Sequence, residues 1–267
     1  MGTLCAGARA YVAELGGQRA ALARDAARAP AAAPFEAALR RDTVVAVIAE
    51  VKRSSPSKGA INAGLAAGAQ AAAYAVGGAA ALSILTEPTR FGGRPADVTE
   101  AIAATHGHVP VLKKDFHVDP LQLVEARALG ASAALLIARA LSPADLRAME
   151  RAARDLGLET LVEVRDEREL DAALAAGARV IGVNNRNLET LVIDLATGER
   201  LVPQIPADRV AVFESGVSTA AEVGRAARAG ADAVLVGSSV SAAAEPAAAV
   251  AALATVRRQG RAALAGA

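Results

Sequence analysis

The sequence predicts an α/β fold, a (β/α)8 barrel of the TIM type with an N-terminal helical extension. Three observations carry that reading. Eight short apolar runs occur at 44–51, 80–86, 109–113, 133–138, 160–164, 179–184, 209–214 and 232–237. Most are separated by segments of helix length, the pattern of parallel βα units. Gly78-Ala79, Gly130-Ala131, Gly177-Ala178 and Gly230-Ala231 precede the even-numbered runs at spacings of 52, 47 and 53 residues, about two βα units each time. A length of 267 residues suits one barrel domain. An open doubly wound sheet is the other arrangement of such units. However, no GxGxxG follows the first run and no GxxxxGK[ST] occurs.

In chain order, residues 1–43 form the extension, rich in alanine and arginine and read as helical, with Pro30 and Pro34 breaking the pattern. Residues 44–240 are the barrel core, and 241–267 a C-terminal helix and tail. Between Gly59 and Thr86 no side chain is charged, a length that can span a bilayer. Alanine and glycine dominate it and Gly77-Gly78 interrupts it, so the expectation is an alanine-rich helix followed by a buried strand. In the barrel repeat, each glycine ends a helix in a left-handed conformation and the alanine opens the next strand.

Composition narrows the function. A net charge of +1 implies no basic surface for nucleic acid. A single cysteine, Cys5, excludes an internal disulfide framework and suits a reducing cytoplasm. No secretory signal is expected at the N-terminus, so the reading is a soluble, cytoplasmic protein that needs no membrane. Only four of the 29 basic residues are lysine (Lys52, Lys58, Lys113 and Lys114), all at or just past strand ends. Lysine can exchange a proton when burial lowers its pKa; arginine cannot at ordinary pH. Three of four asparagines fall in Asn184-Asn185-Arg186-Asn187.

In such a barrel the active site lies at the C-terminal ends of the strands. The first run ends in Glu50 and Lys52, which share a face because strand residues i and i+2 point the same way. The third supplies Lys114, with Lys113 on the opposite face. The fifth carries Glu163 in an otherwise apolar stretch, the sixth leads into Asn184 and Arg186, and the seventh ends in Glu214-Ser215-Gly216. Lysines and glutamates gathered at one mouth can hold pKa values apart and so provide an acid and a base. Ser54, Ser55, Ser57, Lys58 and Gly59 after the first run suit an anion. So do Gly216 and Gly237, where backbone N–H groups can approach a ligand, and Ser238-Ser239, which can open a short helix. Phosphate binding beyond strands 7 and 8 recurs in this fold. His106, His108 and His117 lie in loops, lack metal-ligand spacing and are expected to be solvated. Neither metal nor nucleotide cofactor is expected.

The segments IAEVKRSSPSKG, ILTEPTRFGG, VLKKDF, ALLI, LVEV, IGVNNRNL, FESGVST and VLVGSSV, in this order over about residues 44–240, resemble the indole-3-glycerol phosphate synthase family of tryptophan biosynthesis. The resemblance implies a carboxy-lyase that closes 1-(2-carboxyphenylamino)-1-deoxyribulose 5-phosphate to indole-3-glycerol phosphate with loss of carbon dioxide and water, using no cofactor. Carried over by motif position, Lys114 looks like the general acid for ring closure, and Glu163 with Lys52 the pair for dehydration. Glu50, Asn184 and Glu214 would orient substrate and stabilise charge. Lys52, Ser55, Gly216, Gly237 and Ser238 would hold phosphate. Phe91, Leu135, Arg186 and Ser215 would contact the rest of the substrate. The partners implied are this phosphorylated small molecule and other enzymes of the pathway.

The chain departs from the family pattern in the bland segment 59–86, in Arg94 and in Ser54. Two other readings compete. An isomerase on a similar phosphate barrel would favour a cysteine or aspartate acid–base pair, and Cys5 lies outside the barrel. A silent barrel acting as a binding partner would lack a strand-end acid or base, and none is missing.

Overall fold

The computed structural model describes residues 2–261, so the last six residues of the C-terminal helix and tail expected at 241–267 lie outside the described residues. Eight parallel strands close on themselves: β1 (Ala46–Val51), β2 (Ala81–Leu85), β3 (Val111–Lys114), β4 (Ala133–Ile137), β5 (Glu159–Val164), β6 (Val180–Asn184), β7 (Val210–Glu214) and β8 (Ala233–Val236). Closure is made by β1, which pairs with β8 on one side and β2 on the other. The barrel read from the eight apolar runs is present, with strand ends shifted by one or two residues.

The repeated glycine–alanine pairs work as expected. Gly78, Gly130, Gly177 and Gly230 have φ of 83–89°, a region that costs glycine little and other residues more. In each case the following alanine N–H bonds back to a carbonyl five residues earlier, as in Ala79 to Tyr74 and Ala178 to Ala173. The helix is thereby stopped and the chain turned into the next strand.

Alternation along the strands divides the apolar residues into two cores. Ile48, Leu112, Leu135, Leu161, Val212 and Leu235 fill the barrel interior, while Val47, Ile84, Leu136, Val162 and Phe213 face the surrounding helices. The extension comprises α1 (Gly2–Gly16), α2 (Arg19–Arg28) and α3 (Phe35–Leu39), with Pro30 and Pro34 in the connection as the sequence implies. Phe35 and Leu39 of α3 are fully buried in the interior cluster. Glu159, at the start of β5, accepts hydrogen bonds from the Phe35 and Glu36 amides at 3.2 and 2.5 Å. The α3 turn thus closes the barrel floor.

The uncharged segment resolves into α4 (Ala67–Val76) and β2. Its small residues have a packing reason. A methyl group at Gly77 would collide with the Ala247 backbone, and one at Gly68 would press on the Glu100 carbonyl at 3.3 Å. The helix therefore sits close against Ala96–Ala104 (α5) and Pro246–Leu253, the C-terminal helix. Among the described residues no helix is long and apolar enough to cross a membrane.

Candidate active site

The strand ends surround a cavity of about 520 Å³. It is lined by Glu50, Lys52, Ser55, Phe91, Lys114, Leu135, Glu163, Asn184, Arg186, Ser215, Gly216, Gly237 and Ser238. The remaining expected residue, Glu214, lies beneath this surface and reaches the site through Lys114. Sequence reading did not single out Phe116, Leu188 or Leu235, which add apolar wall, or Thr3 and Leu4, which α1 brings to the rim.

The charges form one connected set. Lys114 Nζ lies 3.1 Å from Glu214 Oε2 and 3.4 Å from Glu50 Oε2, and Lys52 Nζ bonds the other Glu50 oxygen. Burial alone would raise the Glu50 carboxyl, but Lys52 and Lys114 outweigh it and hold the value at about 2. Burial would likewise lower Lys114, yet Glu214, Glu50 and Glu163 carry it well above the usual lysine range. The ammonium form is thus held in place, the opposite of the depressed lysine that burial alone suggests. Glu163 behaves in reverse. Burial and the Glu214 charge push its carboxyl up to about 7 against the pull of Lys114.

Several anchors were not legible in sequence. Ser241 Oγ donates to the Glu50 carbonyl at 2.8 Å and accepts from the Lys52 amide at 3.2 Å, and Tyr74 Oη donates to the same carbonyl. These bonds fix the end of β1. Of the three clustered asparagines only Asn184 enters the cavity. Asn185 is fully buried and ties the Glu214 and Ser215 carbonyls to the Gly198 amide, and Asn187 caps a turn through the Glu189 amide. Ser215 takes φ of 65° and Gly216 80°, so two successive residues just past β7 lie in the left-handed region that favours glycine. Ser238–Ser241 is a short helix, as the Ser-Ser pair implies. Arg186 is half-buried and, among the described residues, makes no ion pair; its Nη1 donates to the Leu191 carbonyl at 3.3 Å.

The histidine expectation needs one correction. His106 and His108 are exposed, but His117 is buried. Its ring hydrogen-bonds the Leu135 carbonyl at 2.7 Å, and burial with the Lys113 charge lowers its pKa to about 4. Sequence spacing could not show this, because the loop after β3 is tied to helix Pro120–Ala128 (α6) by Gln122, which donates to the Phe116 carbonyl at 3.0 Å and accepts from the Val118 amide at 2.7 Å. There Lys113 is buried behind the barrel and pairs with Asp115 at 3.1 Å and Glu125 at 3.2 Å. Tyr11 of α1 donates to Glu125. Lys113 is thus a structural lysine, on the face opposite Lys114 as alternation requires.

The departures also find partners. Ser54 Oγ donates to the Arg90 carbonyl at 2.9 Å. Arg94 joins Arg53 on the buried carboxylate of Asp97.

The family model for indole-3-glycerol phosphate synthase matches residues 1–253. The chain belongs to that family. The indole-3-glycerol phosphate synthase of Opitutus terrae is 48% identical over 231 residues, covering 85% of this chain and 86% of its own. That of Streptomyces griseus is 51% identical over 226 residues, covering 85% and 83%. Among solved structures, 3-hexulose-6-phosphate synthase from Salmonella typhimurium superposes with a TM-score of 0.63 at 16% identity, over 79% of this chain and 97% of that one. This last likeness speaks for the barrel alone. As a family member, the chain is a carboxy-lyase of tryptophan biosynthesis that forms indole-3-glycerol phosphate.

Proposed function

We propose a division of the family's reaction among the residues of this cavity. The observation that carries it is Lys114, held as an ammonium between Glu50 and Glu214, in the same cavity as a Glu163 carboxyl raised to about 7. One pocket then offers a charged acid and a carboxylate poised to take a proton near neutrality. The ring carbon bearing the carboxylate attacks the ketone carbon of the ribulose chain. As the carbonyl electron pair moves to oxygen, that oxygen takes a proton from Lys114 Nζ. Carbon dioxide leaves, its bonding electrons returning to the ring. Dehydration follows: the new hydroxyl departs as water on a proton from Lys52, and Glu163 removes a proton from the neighbouring CH2. The indole double bond forms between those two carbons.

Glu50 and Glu214 fix the lysines and stabilise the charge that develops. Asn184 orients the substrate. The Arg186 guanidinium, in an ion pair with no carboxylate among the described residues, suits the substrate carboxylate before it leaves. Phe91 and Leu135 supply apolar contact for the aromatic ring, with Ser215 beside it. The amides of Gly216, Gly237 and Ser238, with Ser55 and Lys52, hold the phosphate. Cytoplasmic residence and association with other enzymes of the pathway extend this reading, and both come from the family's place in metabolism.

The direct test is Lys114→Ala. Its turnover should fall by about 10²–10⁴-fold, while substrate binding, measured by calorimetry with the carboxyphenylamino substrate, stays largely intact. Near-normal turnover would overturn the assignment of the acid.

A further inference from the structure

We propose that Gly182 is a positioning residue of this reaction, its bare Cα forming the seat on which the Glu214 carboxylate lies between Lys114 and Glu163. The inference rests on the roles given above to Lys114 and Glu163. Gly182 stands in the middle of β6, a place where glycine weakens a strand. Its backbone does not require glycine, because it is not among the glycines with positive φ. The requirement is space. A Cβ built there would overlap Glu214 Oε1, lie 3.0 Å from Glu214 Cδ and 3.2 Å from Leu161 Cδ1.

The ladder registers explain why this gap matters. Gly182 pairs with Glu163 of β5 on one side and Val212 of β7 on the other. The Glu214 side chain folds back over the vacancy, toward the strand that carries Glu163. Its Oε2 reaches Lys114 at 3.1 Å, whereas Oε1 is buried and has no hydrogen-bond partner among the described residues. Among the described residues no donor fixes Oε1, and the open space above Gly182 is what admits it. A methyl group would displace the end of a flexible side chain, a small cost to the fold. That same end carries the charge that Lys114 and Glu163 sense. A 1 Å misplacement of such a group can cost about 10²-fold in rate.

Gly182→Ala tests this, with Glu214→Asp as the second variant, since aspartate withdraws the carboxylate by one methylene. The expected result for Gly182→Ala is kcat lower by about 100-fold, KM changed less than about threefold, and an unaltered far-ultraviolet circular dichroism spectrum. In the Glu214→Asp background the same substitution should cost about threefold or less, because the two changes act through one contact. Wild-type kcat in Gly182→Ala would overturn the proposal. So would an equal loss in both backgrounds, which would assign the effect to packing against Leu161. Should Gly182→Ala fail to fold, the double variant is read against Glu214→Asp alone: equal activity supports the seat, and a double variant that also fails to fold overturns it. The outcome is separable from that of the acid assignment. An active Lys114→Ala enzyme in which residues 182 and 214 remain coupled would remove the role given to Lys114 and leave the seat standing.

Discussion

Glu163 shows how much a single residue owes to its surroundings. Glu214, two strands along on β7, is the like charge that, added to burial, raises the Glu163 carboxyl to about 7. Lys114 of β3 and the Asn184 side chain act the other way. In its proposed role as a base Glu163 must be ionised to work, so kcat/KM should fall as pH drops below about 7. Glu214→Gln removes the like charge and should move that limb to lower pH; a limb that stays fixed would assign it to another group. The same shift has a sign for stability. The folded value lies above the ordinary 4.5, so the folded state holds the proton more tightly and loses stability as pH rises through that interval. Glu163→Gln should therefore melt a few degrees higher than the parent at pH 8, while losing activity. Scanning calorimetry at pH 5 and pH 8 checks the sign, because the gain should shrink at the lower pH.

At the scale of elements, the loop that leaves β1 is held by a buried ion pair. Arg53 donates both terminal nitrogens to Asp97 of α5, at 2.5 and 2.9 Å, and also reaches the Gly92 carbonyl at 3.1 Å. Asp97 is fully buried, and a buried pair that loses one partner leaves an uncompensated charge. Asp97→Ala should lower stability by about 3 kcal/mol, read as a lower urea midpoint with an unchanged m-value. Burial would raise the Asp97 carboxyl, but Arg53 and Arg94 hold it below the ordinary 3.8. Its contribution is therefore present above pH 4 and lost as pH falls through the depressed folded value. The loop held this way carries Ser55, so the variant should also show a raised KM.

For the whole molecule, the N-terminal extension both plugs and rims the barrel. At the floor α3 buries Phe35 and Leu39, and at the mouth α1 contributes Thr3 and Leu4 to the cavity wall. Between them Tyr11 bonds Glu125, and Arg127 donates to the Ala29 carbonyl at 2.7 Å. Burial and the Glu125 contact keep the Tyr11 phenol well above its usual range, so it remains a donor at any physiological pH. Deleting residues 2–16 removes cavity wall but none of the residues given a part in the proposed reaction. The expected result is a KM raised by roughly tenfold, about 1.4 kcal/mol, with kcat changed less. A kcat collapse in a chain that still melts cooperatively would give α1 a larger part.

The sequence by itself determined the strand count, the parallel βα order and the glutamates and lysines at the strand ends. Those are local properties: an apolar run, a glycine that stops a helix, and the i, i+2 alternation that sends Lys114 into the barrel and Lys113 out of it. It also carried the glycine- and serine-rich turns at the strand ends, to which the proposed function gives the phosphate. The tertiary structure decided what depends on distant residues meeting. Ser241 and Tyr74 lock the end of β1 from 191 and 24 residues away. His117 is buried with its ring on the Leu135 carbonyl of β4, 18 residues away. Gly182 is glycine for the sake of a side chain on the next strand. Each of these is set by burial and by contact across the barrel. Neither leaves a local pattern in the chain.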